Sequence, residues 1–302
     1  MTLRRGRTVA ALGVVLLVAV VAFGIFWFGG DWKALIGWRA LVDYVNPKNA
    51  TGRKDAIQVY ALIVAGVVAT ITAGVGLANL WLTRRNLKQQ RELEAQRAQG
   101  TALQAYYEQI GNLITKDELR NTKRKDIREL ARGQTLTVLK EVDGDGKGSL
   151  LTFLRGAGLI GTQNPAVVLT GADLRRVALG GANLTGVSLR EANLYGANLQ
   201  GASLWSANLY GANLQRADLR KTILEVAVLG KAYLQRADLR EANLQGANLQ
   251  GANLQEANLQ EANLQGANLR EANLRGAIVT YGLLDAAGSL LGAIMPDGSK
   301  HP

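Results

Sequence analysis

The sequence predicts a mainly β protein, a solenoid of stacked coils, preceded by two transmembrane α-helices and a small helical stalk and adaptor. Three observations carry this. Leucine recurs at every fifth position from Leu169 to Leu274, 22 times without a miss. Alanine fills 19 of the 23 positions two residues before the repeat centres, from 167 to 277. Upstream, two stretches without a charged residue, 9–28 and 56–82, precede a basic segment with helical patterning.

Composition narrows the function classes. The 302 residues include no cysteine, and the single histidine is His301. Disulfides, thiolate metal sites and cysteine nucleophiles are excluded, and histidine-dependent hydrolysis or zinc ligation nearly so. With no nucleophile–base pair, phosphate loop or metal set, neither an enzyme nor a bound cofactor is expected. The net charge of +11 divides into +10 for residues 1–164 and +1 for 165–302. The basic excess thus belongs to the N-terminal half, and no nucleic-acid partner is expected.

Residues 1–82 read as a membrane hairpin. The stretch 9–28 spans about 30 Å as a helix, the thickness of a bilayer core, and 56–82 spans it with tilt. Phe23 to Phe28 carries the first apolar run past Val20-Val21-Ala22, which favours a span over a cleaved signal peptide. Three arginines precede the first span and Arg84, Arg85, Lys88, Arg91 and Arg97 follow the second, against five basic residues between them. This bias expects a multi-pass cell-membrane protein with both termini cytoplasmic and the lipid bilayer as a partner. Gly66, Thr70, Gly74 and Ala78 recur at four-residue spacing and allow close packing on the first span or on a second copy. Thr72 to Gly76 superficially resembles a potassium-filter strand, but packing is the better reading.

Residues 83–164 read as a helical stalk and adaptor. Leu93, Leu103, Tyr107, Ile110 and Ile114 form a heptad-like seam, so homo-oligomerisation through the stalk or the second span is expected. Ile127, Leu130, Ala131 and Val138 mark a second helix, and Ser149 reads as the N-cap of a third. Asp143 to Gly148 invites a calcium-loop reading. An EF-hand loop begun at Asp143 would need glutamate at its twelfth position, which is Leu154, so a glycine-rich connector fits better.

Residues 165–285 hold the repeat. A five-residue period matches neither helix nor strand. It fits a chain that bends once per unit, with alanine and leucine inward and three residues outward. Stacked coils then sit about 4.8 Å apart, and each buried leucine contributes about 1.5–3 kcal/mol before entropy is set against it. Val279 and Leu284 extend the register to 24 units. The adaptor, through Phe153 and Leu159, is expected to cap the first coil. The tail, 286–302, is expected to cover the last with Leu290, Leu291, Ile294 and Met295.

Units such as Ala192-Asn193-Leu194-Tyr195-Gly196 closely resemble the pentapeptide-repeat family over 167 to about 285. The resemblance implies a right-handed quadrilateral β-helix with four units to a coil, hence six coils about 29 Å tall at the inter-strand spacing. The segment 103–160, including Arg132 to Leu139, is similar to the helical region before the repeats in membrane-anchored bacterial members. Most of that family has no assigned biochemical activity.

With four units per coil, outward residues twenty apart stack. Arg176, Arg216 and Arg236 then share one column. Ile223, Val228 and Tyr233 replace the usual Asn, Asp or Ser in three consecutive units, and Trp205 and Tyr210 lie one coil below. These apolar residues form either a partner-binding belt or a local drift of the repeat. The expected function is a membrane-anchored scaffold presenting a rigid β-helix to a protein partner. A membrane sensor or signalling protein is the alternative. A topoisomerase-binding DNA mimic ranks lower, because it needs an acidic solenoid.

Overall fold

The computed structural model describes residues 53–116, 119, 124–161 and 164–302, without the side chains of 53–64, 67 and 116. The chain divides into two units, Met1–Glu92 and Leu93–Pro302. Helix α1, Arg53–Lys116, begins in the first unit and runs into the second.

The membrane expectation is corrected in the first unit. The stretch 9–28 lies outside the described residues. Among the described residues, no helix is long and apolar enough to cross a membrane. The uncharged run of α1 ends at Thr83, before Arg84 and Arg85. Thr70, Thr72, Gly74, Gly76 and Asn79 interrupt the apolar character of that run. A cell-membrane protein with two spans and cytoplasmic termini is not supported. Gly66, Thr70, Gly74 and Ala78 lie along α1, where the Thr70 hydroxyl donates to the Gly66 carbonyl at 2.7 Å.

In the second unit, the last turns of α1 pack on α2 (Lys125–Glu141) and α3 (Gly144–Gly156). Tyr106 and Ile110 are buried, and Leu103, Tyr107 and Ile114 pack against the same core. The seam from Leu103 to Ile114 is thus occupied within its own unit, whereas Leu93 is exposed. The Tyr106 hydroxyl meets the Thr135 hydroxyl of α2 at 2.8 Å, and the Tyr107 ring lies 4.7 Å from that of Phe153 in α3. Burial pushes the Tyr106 phenol up to about 12.

Helix α3 begins five residues before Ser149. Asp143 is its N-cap, accepting from the Gly146 amide at 2.9 Å. Gly144 and Gly148 face the first coil of the solenoid. A Cβ at either would overlap a carbonyl oxygen, that of Arg176 or that of Ala178. Their low helix propensity is accepted because only glycine lets the helix backbone come this close. Contact is sealed by the Ala178 amide donating to Gly144 O at 2.9 Å. Lys147, 6% exposed, sets its ammonium 3.6 Å from the Asp173 carboxylate.

From Asp173 onward, parallel bridges join residues twenty apart, from Asp173↔Asn193 to Asn258↔Ile278. Four units make one coil, as the outward columns require. Each unit is a turn in which the leucine carbonyl accepts from the amide three residues on, as in Ala197 to Leu194 at 3.0 Å. Coils are joined by bonds such as Leu194 to Asn213 O at 2.7 Å and Asn213 to Ala192 O at 2.9 Å. The asparagine of each unit also accepts from the amide two residues later, as Asn193 does from Tyr195 at 3.2 Å. That is why the position prefers Asn, Asp or Ser. Thr222 replaces an inward alanine at no cost in satisfaction, since its hydroxyl donates to Leu199 O at 2.9 Å.

Near the C-terminus the period changes. The chain turns into α4, Tyr281–Asp285, with Leu284 buried. Pairing then resumes one residue out of step, Asn268 with Ser289 and Asn273 with Ile294. Leu290 and Met295 take inward leucine positions and Ala293 an alanine position. Leu291 is exposed rather than covering the last coil.

Candidate functional site

The solenoid's interior is filled, so its chemistry lies on four outer faces and the corners between them. We number the faces by their bridged columns. The first holds Asn213, Tyr233 and Asn253; the second holds Asp218 and Asp238; the third holds Ser203, Ile223 and Asn243; the fourth holds Asn208, Val228 and Asn248.

The apolar belt occupies three successive faces. Ile223 and Tyr233 are exposed, and Val228 is half-buried. None of the three offers the side-chain acceptor that asparagine gives the amide two residues on. Trp205 is exposed, and its carbonyl closes the coil below. Tyr210 is half-buried beneath Gly230, where an added Cβ would sit 3.2 Å from the ring, and the Arg190 guanidinium covers it at 4.9 Å.

Val226 belongs to the same level and was not singled out from the sequence. It stands at the third residue of a turn, where all 22 units from 171 to 276 take positive φ. Glycine, serine or a charged residue fills every other such position, yet Val226 holds φ 50° with its side chain exposed. A β-branched residue is strained there. Trp205, Ile223, Val226 and Val228 therefore gather where the third and fourth faces meet, so the belt is densest at one corner. The signal was legible: valine breaks the pattern of the position before each alanine.

Charge is neutralised on the second face. Asp218 takes the Arg220 guanidinium in a fork at 2.9 and 2.6 Å, and Asp238 takes Arg240 at 2.8 and 2.6 Å. The side-chain hydrogen bonds of these arginines hold both carboxyls below the usual range. A third fork, Asp173 with Arg175, lowers Asp173 to about 2.

The basic column lies at the corner of the first and second faces, and its members are not equivalent. Arg236 pairs with Glu256 at 2.7 Å. Arg176 and Arg216 have no carboxylate partner among the described residues. A shallow groove runs along this corner, lined by Tyr195, Gln215, Arg216, Gln235, Arg236 and Glu256 among others. Arg216 stacks its guanidinium 6.0 Å from the Tyr195 ring centroid. The sequence indicated the arginines but not the tyrosine or the glutamine column beside them.

Stacked coils with a leucine–alanine interior and variable polar faces define a scaffold-like repeat protein. A sequence model of pentapeptide repeats matches eight copies, over 168–205, 188–225, 207–246 and 237–276. The chain is similar to HetL of the cyanobacterium Nostoc sp. strain PCC 7120, a pentapeptide repeat protein involved in heterocyst differentiation regulation. Identity is 43% over 45% of this chain and 70% of that one, with a TM-score of 0.29. Rfr23 of the cyanobacterium Cyanothece 51142 is 42% identical over 34% of this chain and 64% of its own, with a TM-score of 0.25. A pentapeptide repeat protein of the Arabidopsis thaliana thylakoid lumen is 30% identical over 38% and 70%, with a TM-score of 0.23. No curated protein matches the sequence. The chain belongs to the pentapeptide-repeat family, whose fold is a right-handed β-helix. The membrane-anchored type within that family is not supported.

Proposed function

We propose that the chain is a non-enzymatic scaffold whose β-helix presents a rigid recognition surface to a protein partner, with the contact centred between Trp205 and Arg236. The observation that carries this reading is the concentration of exposed apolar side chains at one level. Ile223 and Tyr233 give up a side-chain hydrogen bond that other coils make, and Val226 accepts a strained backbone. Neither cost improves the solenoid's own packing, because these side chains point outward. Strain of this kind, at about 1–3 kcal/mol per residue, is what recognition sites characteristically hold. Exposed Trp and Tyr on a preorganised surface suit the centre of an interface.

The experiment is to change Ile223, Val228 and Tyr233 to Asn together in the full chain. The substitutions restore the acceptor found in neighbouring coils, so circular dichroism and melting stay as in the native protein. Association with the partner, read by crosslinking in cells, falls by about tenfold or more, the scale of a lost interface centre. Unchanged crosslinking overturns the assignment.

A further inference from the structure

The groove at the corner of the first and second faces holds an imbalance that the apolar belt does not explain. Four arginines of the solenoid, Arg175, Arg220, Arg236 and Arg240, each have a carboxylate at 2.6–2.7 Å. Arg176 and Arg216 have none among the described residues, and both converge on one coil. Arg176 lays its stem across Gly196, where an added Cβ would sit 3.7 Å from its Cγ. Arg216, two coils above Arg176 or about 9.6 Å at the inter-strand spacing, stacks over Tyr195, the neighbour of Gly196. Glu256 draws Arg236 upward and away from this level.

Arg176 and Arg216 are exposed, and two guanidiniums brought toward one level without a counter-charge form a site for an anion. An acidic peptide supplies it as a side-chain carboxylate. A nucleic acid fits less well, because the solenoid carries only +1 and Glu256 lies along the groove. We propose that the groove between Tyr195 and Glu256 binds an extended acidic segment of the partner protein. One carboxylate is held by Arg176 and Arg216 over Tyr195. This inference rests on the scaffold reading and adds the partner's chemistry to it.

The test uses the full chain and a fluorescein-labelled eight-residue peptide of alternating Glu and Thr, followed by fluorescence anisotropy at low salt. Saturable binding is expected, and Arg176→Gln with Arg216→Gln weakens it by about tenfold, the scale of one lost charge-assisted pair. Arg240→Gln, whose guanidinium is already held by Asp238, leaves binding unchanged. The same peptide with Gln for Glu binds weakly. Equal binding to the native chain and the double arginine variant overturns the proposal, as does no binding at about 1 mM peptide. Arginine-dependent binding of an eight-nucleotide oligothymidylate in preference to the peptide also overturns it. Failure here while crosslinking still depends on Ile223, Val228 and Tyr233 removes the acidic groove alone. Loss of that dependence removes the scaffold reading.

Discussion

The two ends of the solenoid solve one problem in different ways. Each must cover unpaired backbone and an apolar interior. At the N-terminal end a separate helix lies against the first coil, held by glycine-to-carbonyl contacts at Gly144 and Gly148 and by the Lys147–Asp173 ion pair. At the C-terminal end the chain closes itself. Helix α4 adds one residue to the period, and the tail folds back so that Ile294 pairs antiparallel with Lys300 and the His301 amide donates to Ala293 O at 2.8 Å. The first closure depends on a close fit and a buried charge, the second on continued coil packing. They should fail differently.

The interior sets the reference for both. Leu219 and Leu239 are buried, and changing both to Asp places two unpaired carboxyls in the core at several kcal/mol each. Loss of the β-type circular dichroism spectrum is expected; a retained spectrum and melting temperature would contradict the inward register. Next in size is Gly148→Leu, which drives a side chain into the Ala178 carbonyl and lifts α3 from the coil. A loss of about 3 kcal/mol in urea denaturation is expected despite the better helix propensity. At the other end, Met295→Ala removes a buried side chain at the last coil, where the surrounding tail can close part of the space, so about 2 kcal/mol is expected. An equal or larger loss there would reverse the contrast.

Acid should distinguish the ends further. Arg175, with Lys147 assisting, holds Asp173 at about 2 in the folded chain, below an ordinary carboxyl. A depressed folded value means stability that is fully present above the unfolded carboxyl range, near pH 4, and is lost as pH falls through about 2. Asp173→Asn should flatten the decline of the urea midpoint between pH 4 and 2, and an unchanged slope would place the acid sensitivity elsewhere. The smallest effect is a gain. Val226→Gly relieves the positive φ and should stabilise the solenoid by about 1 kcal/mol, while weakening partner association because an exposed apolar group is removed.

Much of this was legible in the sequence, for reasons that separate local from tertiary signals. The leucine and alanine positions gave the interior directly, because a fixed period of five leaves one way to bury both. The four-unit coil followed from the family resemblance and is carried by bridges twenty residues apart. The start of α3 was not legible. Glycines at 144, 146 and 148 look like a connector, and only the proximity of the first coil's backbone gives them a reason to be helical. The one-residue shift after α4 was hidden because Leu290 and Met295 sit off the five-residue register while facing the same interior. The membrane hairpin was inferred from uncharged length, and the described part of α1 does not sustain it. On the surface, the belt was visible as a substitution pattern, whereas the isolation of Arg176 and Arg216 needed the pairing of Arg175 and Arg236 beside them.

On the proposed scaffold reading, a partner docks at the level from Trp205 to Arg236. The most direct test of that reading is a photo-crosslinking residue in place of Trp205, in the full chain, with and without Ile223→Asn, Val226→Asn and Tyr233→Asn. Discrete adducts are expected from the first protein. They should be lost by about tenfold in the second while its melting curve stays at or above that of the first. Adducts of equal yield from both, with both folded, would contradict it.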